Sequence, residues 1–142
     1  MWRFEHTETT SATPDRVWAR YVDPTTWPQW DHGTESVTAD GPLAVGLRGR
    51  LKPKGGPWTS FVVTEVEPGA GFADVTRLPL ARLEFRHRIE AVLGGARFTH
   101  TVTMRGPLTP LFARIIGRTI AAEMPTAMAT LARLAEGATI PS

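Results

Sequence analysis

PLFARIIGRTIAAEMPTAMATLARLAE, residues 110–136, reads as one long helix, and its length and single apolar face decide what the rest of the chain has to be. Thr109 is placed to cap the first turn, and Pro110 sits at the first helical position, where its missing N–H costs nothing. Gly137 follows as the residue just past the end, and Arg133 lies where the helix dipole favours a cation. At ~1.5 Å per residue such a helix spans on the order of 40 Å. With Phe112 set at zero and steps of ~100° per residue, Ile116, Ile120, Ala127, Leu131 and Leu134 share one stripe. Arg114, Arg118, Arg133 and Glu136 fall opposite. Pro125 removes one backbone hydrogen bond and clashes with the Ala121 carbonyl, which predicts a bend of more than ~20°. A helix of this kind needs a broad apolar surface to lie on.

The preceding residues supply that surface. From Gly33 to Gly106, turn signals recur at Gly41-Pro42, Gly55-Gly56-Pro57, Pro68-Gly69, Leu78-Pro79 and Gly94-Gly95. Between them lie strand-like segments at 34–39, 46–52, 58–67, 71–77, 81–92 and 96–105, with a further strand at 2–10. Connections this short exclude parallel neighbours, which need a crossover of a dozen or more residues, so the pattern predicts an antiparallel meander of about seven strands. In 81–92, Leu83, Phe85, His87, Ile89 and Ala91 alternate with charged residues, and in 96–105 Phe98, His100, Val102 and Met104 alternate with Arg and Thr. One face of the sheet is therefore solvated. A two-residue turn at Gly94-Gly95 predicts Ile89 opposite His100 and His87 opposite Val102. After the first strand, Thr13-Pro14-Asp15 starts a short helix to Val22, and Asp23-Pro24 opens a second short turn that ends at Pro28. The predicted fold class is α+β, with helices on one face of a curved antiparallel sheet.

Composition narrows the function. The chain has 142 residues and no cysteine, so it is expected to form a single domain over 1–142 and to perform no thiol chemistry. Sixteen Lys and Arg face 14 Asp and Glu for a net charge of +2, and the interspersed charges argue against a nucleic-acid partner. No basic-then-apolar leader opens the sequence, and no run of eighteen apolar residues occurs, so the expectation is a cytoplasmic protein without stable membrane insertion.

The order of elements, together with Thr13-Pro14-Asp15-Arg16-Val17-Trp18, the string Asp23-Pro24 through Trp27-Pro28-Gln29-Trp30-Asp31, Val63-Thr64-Glu65-Val66-Glu67-Pro68 and the closing helix after Gly106-Pro107-Leu108, resembles a known superfamily. It is that of START-like, birch-pollen-allergen-like proteins, and within it the small bacterial polyketide cyclase/dehydrase and lipid-transport family. The resemblance covers essentially the whole chain. It implies a helix-grip fold with a deep apolar cavity opening between the loops and the long helix. Such proteins include cyclases, lipid carriers, receptors and chaperone-associated modules, so the fold implies no single reaction.

The residues themselves suggest where chemistry would sit. His87 and His100 are expected to face inward as diagonal neighbours, either as an acid–base pair acting on a carbonyl or as packed, singly hydrogen-bonded core residues. Asp74 would orient one of them if Phe72, Asp74 and Thr76 face inward, whereas Ala73 and Val75 argue for the opposite parity. Glu123 falls ~20° from Phe112 on the wheel, inside the apolar stripe, as a contact to a polar ligand group, a structural tie, or a residue carried out to solvent by the Pro125 bend. Met104, Met124 and Met128, with Phe85, Phe98, Phe112, Ile116 and Ile120, form the expected lining, in competition with plain core filling. Trp27, Trp30 and Trp58 are expected at the rim, or as packing of short helices on the sheet. Gly55-Gly56 lacks the features of a phosphate loop, and the four histidines show no ligand spacing, so neither cofactor nor metal is expected. The leading expectation is a protein that binds a lipid-like or polyketide-like molecule. The alternatives are a cyclase, aromatase or dehydratase using His87, His100 and Glu123, and a protein-interaction module.

Overall fold

The computed structural model describes residues 1–137. Seven strands form one sheet in the order β1-β7-β6-β5-β4-β3-β2: β1 Trp2–Thr10, β2 Thr34–Ala39, β3 Arg48–Pro53, β4 Thr59–Glu67, β5 Gly71–Leu78, β6 Ala81–Val92 and β7 Gly95–Arg105. Every neighbouring pair is antiparallel. Between β1 and β2 come α1 (Pro14–Trp18) and a 3-10 helix, Pro24–Gln29, whose first turn is capped by the Asp23 carboxylate accepting from Thr25 N–H at 3.0 Å. The short helix ends at Trp18, four residues before the sequence places it, because the chain turns there to drive Tyr21 into the core.

The closing helix has three parts, α2 (Thr109–Phe112), a π-helical turn Ala113–Gly117, and α3 (Arg118–Ala135), which continues through Pro125. The π-helical turn is an irregularity that falls well before the proline. Leu108, not Thr109, is the cap residue, and the Thr109 hydroxyl is buried with no hydrogen-bond partner. The π-helical turn brings Gly117 against the Trp2 indole. At the far end, Thr10 Oγ1 donates to the Glu136 carboxylate at 2.6 Å, and Arg20 Nη2 donates to the Leu134 carbonyl at 3.3 Å. The helix therefore runs alongside β1 and is tied down where it finishes.

The β6–β7 hairpin differs from expectation by two residues. Val92 pairs with Gly95, so the loop is Leu93-Gly94, and His87 lies directly opposite His100, with Phe85 opposite Val102. A shift of two preserves which side chains face inward. Gly95 belongs to the strand because the Thr10 carbonyl comes so close that a Cβ would overlap it. Gly71, at the start of β5, stands in the same relation to the His87 carbonyl and the Arg88 Cα. Gly71→Ala is therefore expected to destabilise by ~1–3 kcal/mol, read as a lowered urea midpoint. A wild-type midpoint would refute this packing.

Two apolar clusters fill the concave side. One joins Val17, Tyr21, Trp27, Trp30, Phe61, Phe72 and Phe98 to the last turns of α3. The other is built on Leu83, Val102 and Met104. Along the helix, Ala127, Met128, Leu131, Ala132, Leu134 and Ala135 are buried, whereas Phe112, Ile116, Ile120 and Met124 are only partly so. The helix closes tightly on one half of the sheet and loosely on the other.

Candidate ligand site between the sheet and the long helix

Where the helix is tight, the interior is aromatic and full. Tyr21 is completely buried, and its hydroxyl lies 2.7 Å from His100 Nε2. Burial holds the phenol well above its ordinary pKa, so it keeps its proton and donates to that nitrogen, which leaves the His100 proton on Nδ1. The His87 ring stacks on Phe72 at 4.0 Å and meets His100 edge-on at 4.4 Å. Burial pushes the His87 imidazole down to about 3, only partly offset by the Phe72 backbone. Burial also holds His100 well below its usual range, reinforced by His87 and His6. Both are neutral at pH 7. His87 Nδ1 is buried without a partner.

His6 is a member of this row. It lies opposite His100, which lies opposite His87, which lies opposite Phe72, so three inward-facing imidazoles cross β1, β7 and β6. His6 Nε2 sits 3.2 Å from Glu8 Oε2 at the partly open edge. The spacing of the four histidines in sequence does not single out His6, although the alternation of Trp2, Phe4, His6 and Glu8 in β1 is the signal for its facing. Among the described residues, no cluster of His, Cys, Asp or Glu is arranged to hold a metal ion.

Asp74 faces inward, opposite Val63 and Phe85 and on the same face as Phe72. Only 5% exposed, it is pushed up to about 8 by burial and, secondarily, by the Glu84 carboxylate. It is therefore largely a neutral acid at pH 7. It does not orient His87, whose Nδ1 is unpartnered.

The expected lining divides. Phe85, Met104, Phe112, Ile116, Ile120 and Met124 meet in the loosely covered half, with Trp2 and Phe4 from β1. Phe98, Met128, Trp27 and Trp30 lie in the closed half. The two tryptophans do not rim an opening: their indole N–H groups donate to Tyr21 O at 3.1 Å and Arg20 O at 3.4 Å, locking the short helices. Trp58 is exposed on the outer side, with the Arg50 guanidinium 5.6 Å from its ring centroid. Glu123 is exposed and reaches the Asp31–Gly33 loop, where a Cβ on Gly33 would collide with its carboxylate. Asp31 is raised there by burial first, opposed by its hydrogen bond from Thr34, with Glu123 adding repulsion. The convex face carries a cleft of about 440 Å³ lined by Arg3, Glu5, Glu84, Arg86 and Arg88, whose ion pairs suit water rather than an apolar ligand.

This geometry agrees with sequence comparison, in which residues 1–136 match the family described as "Polyketide cyclase / dehydrase and lipid transport". The chain belongs to that family. No curated protein matches it in sequence. Protein MLL2253 from Mesorhizobium loti superposes with a TM-score of 0.77 at 17% identity, over 98% of this chain and 100% of that one. Ara h 8.0201 gives 0.74 at 11% identity, over 96% and 98%. BexL, a di-domain ARO/CYC of the BE-7585A biosynthetic pathway, gives 0.74 at 18% identity, with 96% of this chain covering 47% of BexL. At these identities the likenesses establish the helix-grip fold shared with the polyketide cyclase and lipid-transport family.

Proposed function

We propose that the protein binds a hydrophobic small molecule, lipid-like or polyketide-like, between the sheet and the N-terminal half of the long helix. The observation that carries this reading is the uneven covering of the helix. Phe112, Ile116, Ile120 and Met124 face Leu83, Met104, Phe85, Trp2 and Phe4 and yet remain partly uncovered. Apolar side chains left partly exposed along this seam gain when a hydrophobic ligand covers them, at ~25 cal/mol per Å² removed from water. Asp74 supplies the polar element: as a neutral acid it donates a hydrogen bond to a ligand oxygen. Membership of the family described by polyketide cyclase and lipid transport, and the fold shared with the ARO/CYC protein BexL, support this ligand-binding reading.

The test is native mass spectrometry of the purified protein, followed by titration with a hydrophobic fluorescent probe. A co-purified apolar ligand, and a tenfold or greater loss of probe affinity in Ile116→Lys, are the expected results. Absence of probe binding, or unchanged binding by Ile116→Lys with wild-type melting, would refute the proposal.

A second reading, an acid-assisted cyclase or dehydratase, rests on Asp74 carrying a proton at neutral pH on the same sheet face as His87, one diagonal position away. In this reading Asp74 is the general acid, His87 and His100 stay neutral and orient the ligand, His100 held by Tyr21, while Glu123, outside the interior, takes no part. Turnover of a bound carbonyl ligand that disappears in Asp74→Asn, with binding retained within about tenfold, favours the enzyme.

A further inference from the structure

Three arginines stand side by side on the outer face at one end of the sheet. Arg77 is opposite Arg82, and Arg82 is opposite Arg105. Like charges directly opposed across strands repel. Among the described residues none of the three takes part in an ion pair, although Arg3, Arg86 and Arg97 on the same face all do. They border a cleft of about 440 Å³ with Leu78, Leu80 and Gly106.

The neighbourhood continues this chemistry. Leu80 is 67% exposed and held in a left-handed conformation at φ 54, while its carbonyl accepts from Leu108 N–H at 3.1 Å. That bond places the β5–β6 turn beside the start of the closing helix. There Leu111 and Ile115, 49% and 59% exposed, are one turn apart, and Arg114 and Arg118 are likewise exposed. Residues 76–83 and 104–122 contain five arginines and not one Asp or Glu.

We propose that this end of the molecule is a docking surface for an anionic phospholipid membrane. Guanidinium groups at headgroup level gain about 1 kcal/mol each near an anionic surface, and the leucine and isoleucine side chains exposed at the same end gain by entering the acyl boundary. An acidic protein would satisfy the arginines but gives no reason for the leucines and isoleucine exposed at the same end. Attachment is peripheral, since no helix among the described residues is long and apolar enough to cross a bilayer. The helical segment that carries Leu111 and Ile115 outward carries Phe112 and Ile116 inward, so the docked surface adjoins the loosely covered half of the interior. The docking does not depend on what that interior holds.

Co-sedimentation of the full chain with phosphatidylcholine vesicles, and with vesicles that also contain phosphatidylglycerol, tests this surface. Binding is expected only to the anionic vesicles and should weaken steeply with added salt. Arg77→Gln/Arg82→Gln/Arg105→Gln should lose on the order of a hundredfold, about fivefold per arginine, while melting no lower than the wild type because a repulsive row has been removed. Leu111→Ser/Ile115→Ser should lose about tenfold at unchanged charge, and Arg88→Gln, on the same face but away from this end, should change binding less than twofold. If the triple variant melts lower, the serine pair decides alone. The proposal is overturned by equal binding to neutral vesicles, by binding that ignores both sets of substitutions, or by failure to bind anionic vesicles. In the last case, binding to polyglutamate that the triple variant loses would mark an acidic protein as the occupant instead.

Discussion

Asp74→Asn is expected to stabilise the protein by ~3–5 kcal/mol at pH 8 and by almost nothing at pH 4. The carboxyl is 5% exposed, has no hydrogen-bond partner among the described residues, and is raised from 3.8 to about 8. Every tenfold gain in proton affinity on folding corresponds to ~1.4 kcal/mol. A raised folded-state value means that the folded protein holds a proton the unfolded chain has released. The group's contribution is thus fully favourable below pH ~3.8 and is lost progressively as pH rises toward 8. Asparagine, of the same shape and never charged, removes that loss. Urea unfolding at several pH values reads the effect directly. A destabilised Asp74→Asn at pH 8 would show that the carboxylate is solvated or paired.

The histidines set the opposite limb. His87 is lowered from 6.5 to about 3 and His100 is lowered well below 6.5, so below that pH the unfolded chain takes up protons that the folded protein refuses. Stability contributed by keeping them neutral is complete above pH ~6.5 and falls as pH drops, by ~1.4 kcal/mol per pH unit for each imidazole. With Asp74 acting in reverse, the two histidines leave a net slope of about one proton on the acid side, and Asp74 leaves about one on the alkaline side. Maximum stability is therefore expected near pH ~6.5. His87→Phe keeps the stack on Phe72 and removes one titrating ring, which should flatten the acid limb nearly completely between pH ~4 and 6. An acid limb as steep as in the wild type would mean that His87 titrates normally and is not in the packed interior.

The strands were legible because glycine and proline pairs mark the turns and because β6 and β7 alternate cleanly. The register was legible only to within its parity. Gly95 resembles a turn residue, yet what requires a glycine there is the Thr10 carbonyl, a contact from a strand far away in sequence. The facing of Asp74 was hidden because β5 is buried on both sides from Gly71 through Thr76, which erases the period of two. Glu123 was misplaced by a helical wheel of constant pitch. The π-helical turn Ala113–Gly117 advances fewer degrees per residue, and the accumulated lag carries Glu123 off the apolar stripe toward Gly33. Tyr21 drew no functional reading, because its partner His100 lies across the fold and nothing local announces the bond.

The uneven fit of the long helix has an evolutionary consequence. Cohesion of the fold is concentrated in Met128, Leu131 and the aromatic cluster around Tyr21, where deleting a side chain leaves a cavity costing ~2–5 kcal/mol. Phe112, Ile116 and Ile120 are already partly in water, so resizing them changes the apolar surface they present at a smaller cost to folding. Selection can therefore redraw the proposed ligand surface one residue at a time, while the half that keeps the chain folded stays untouched.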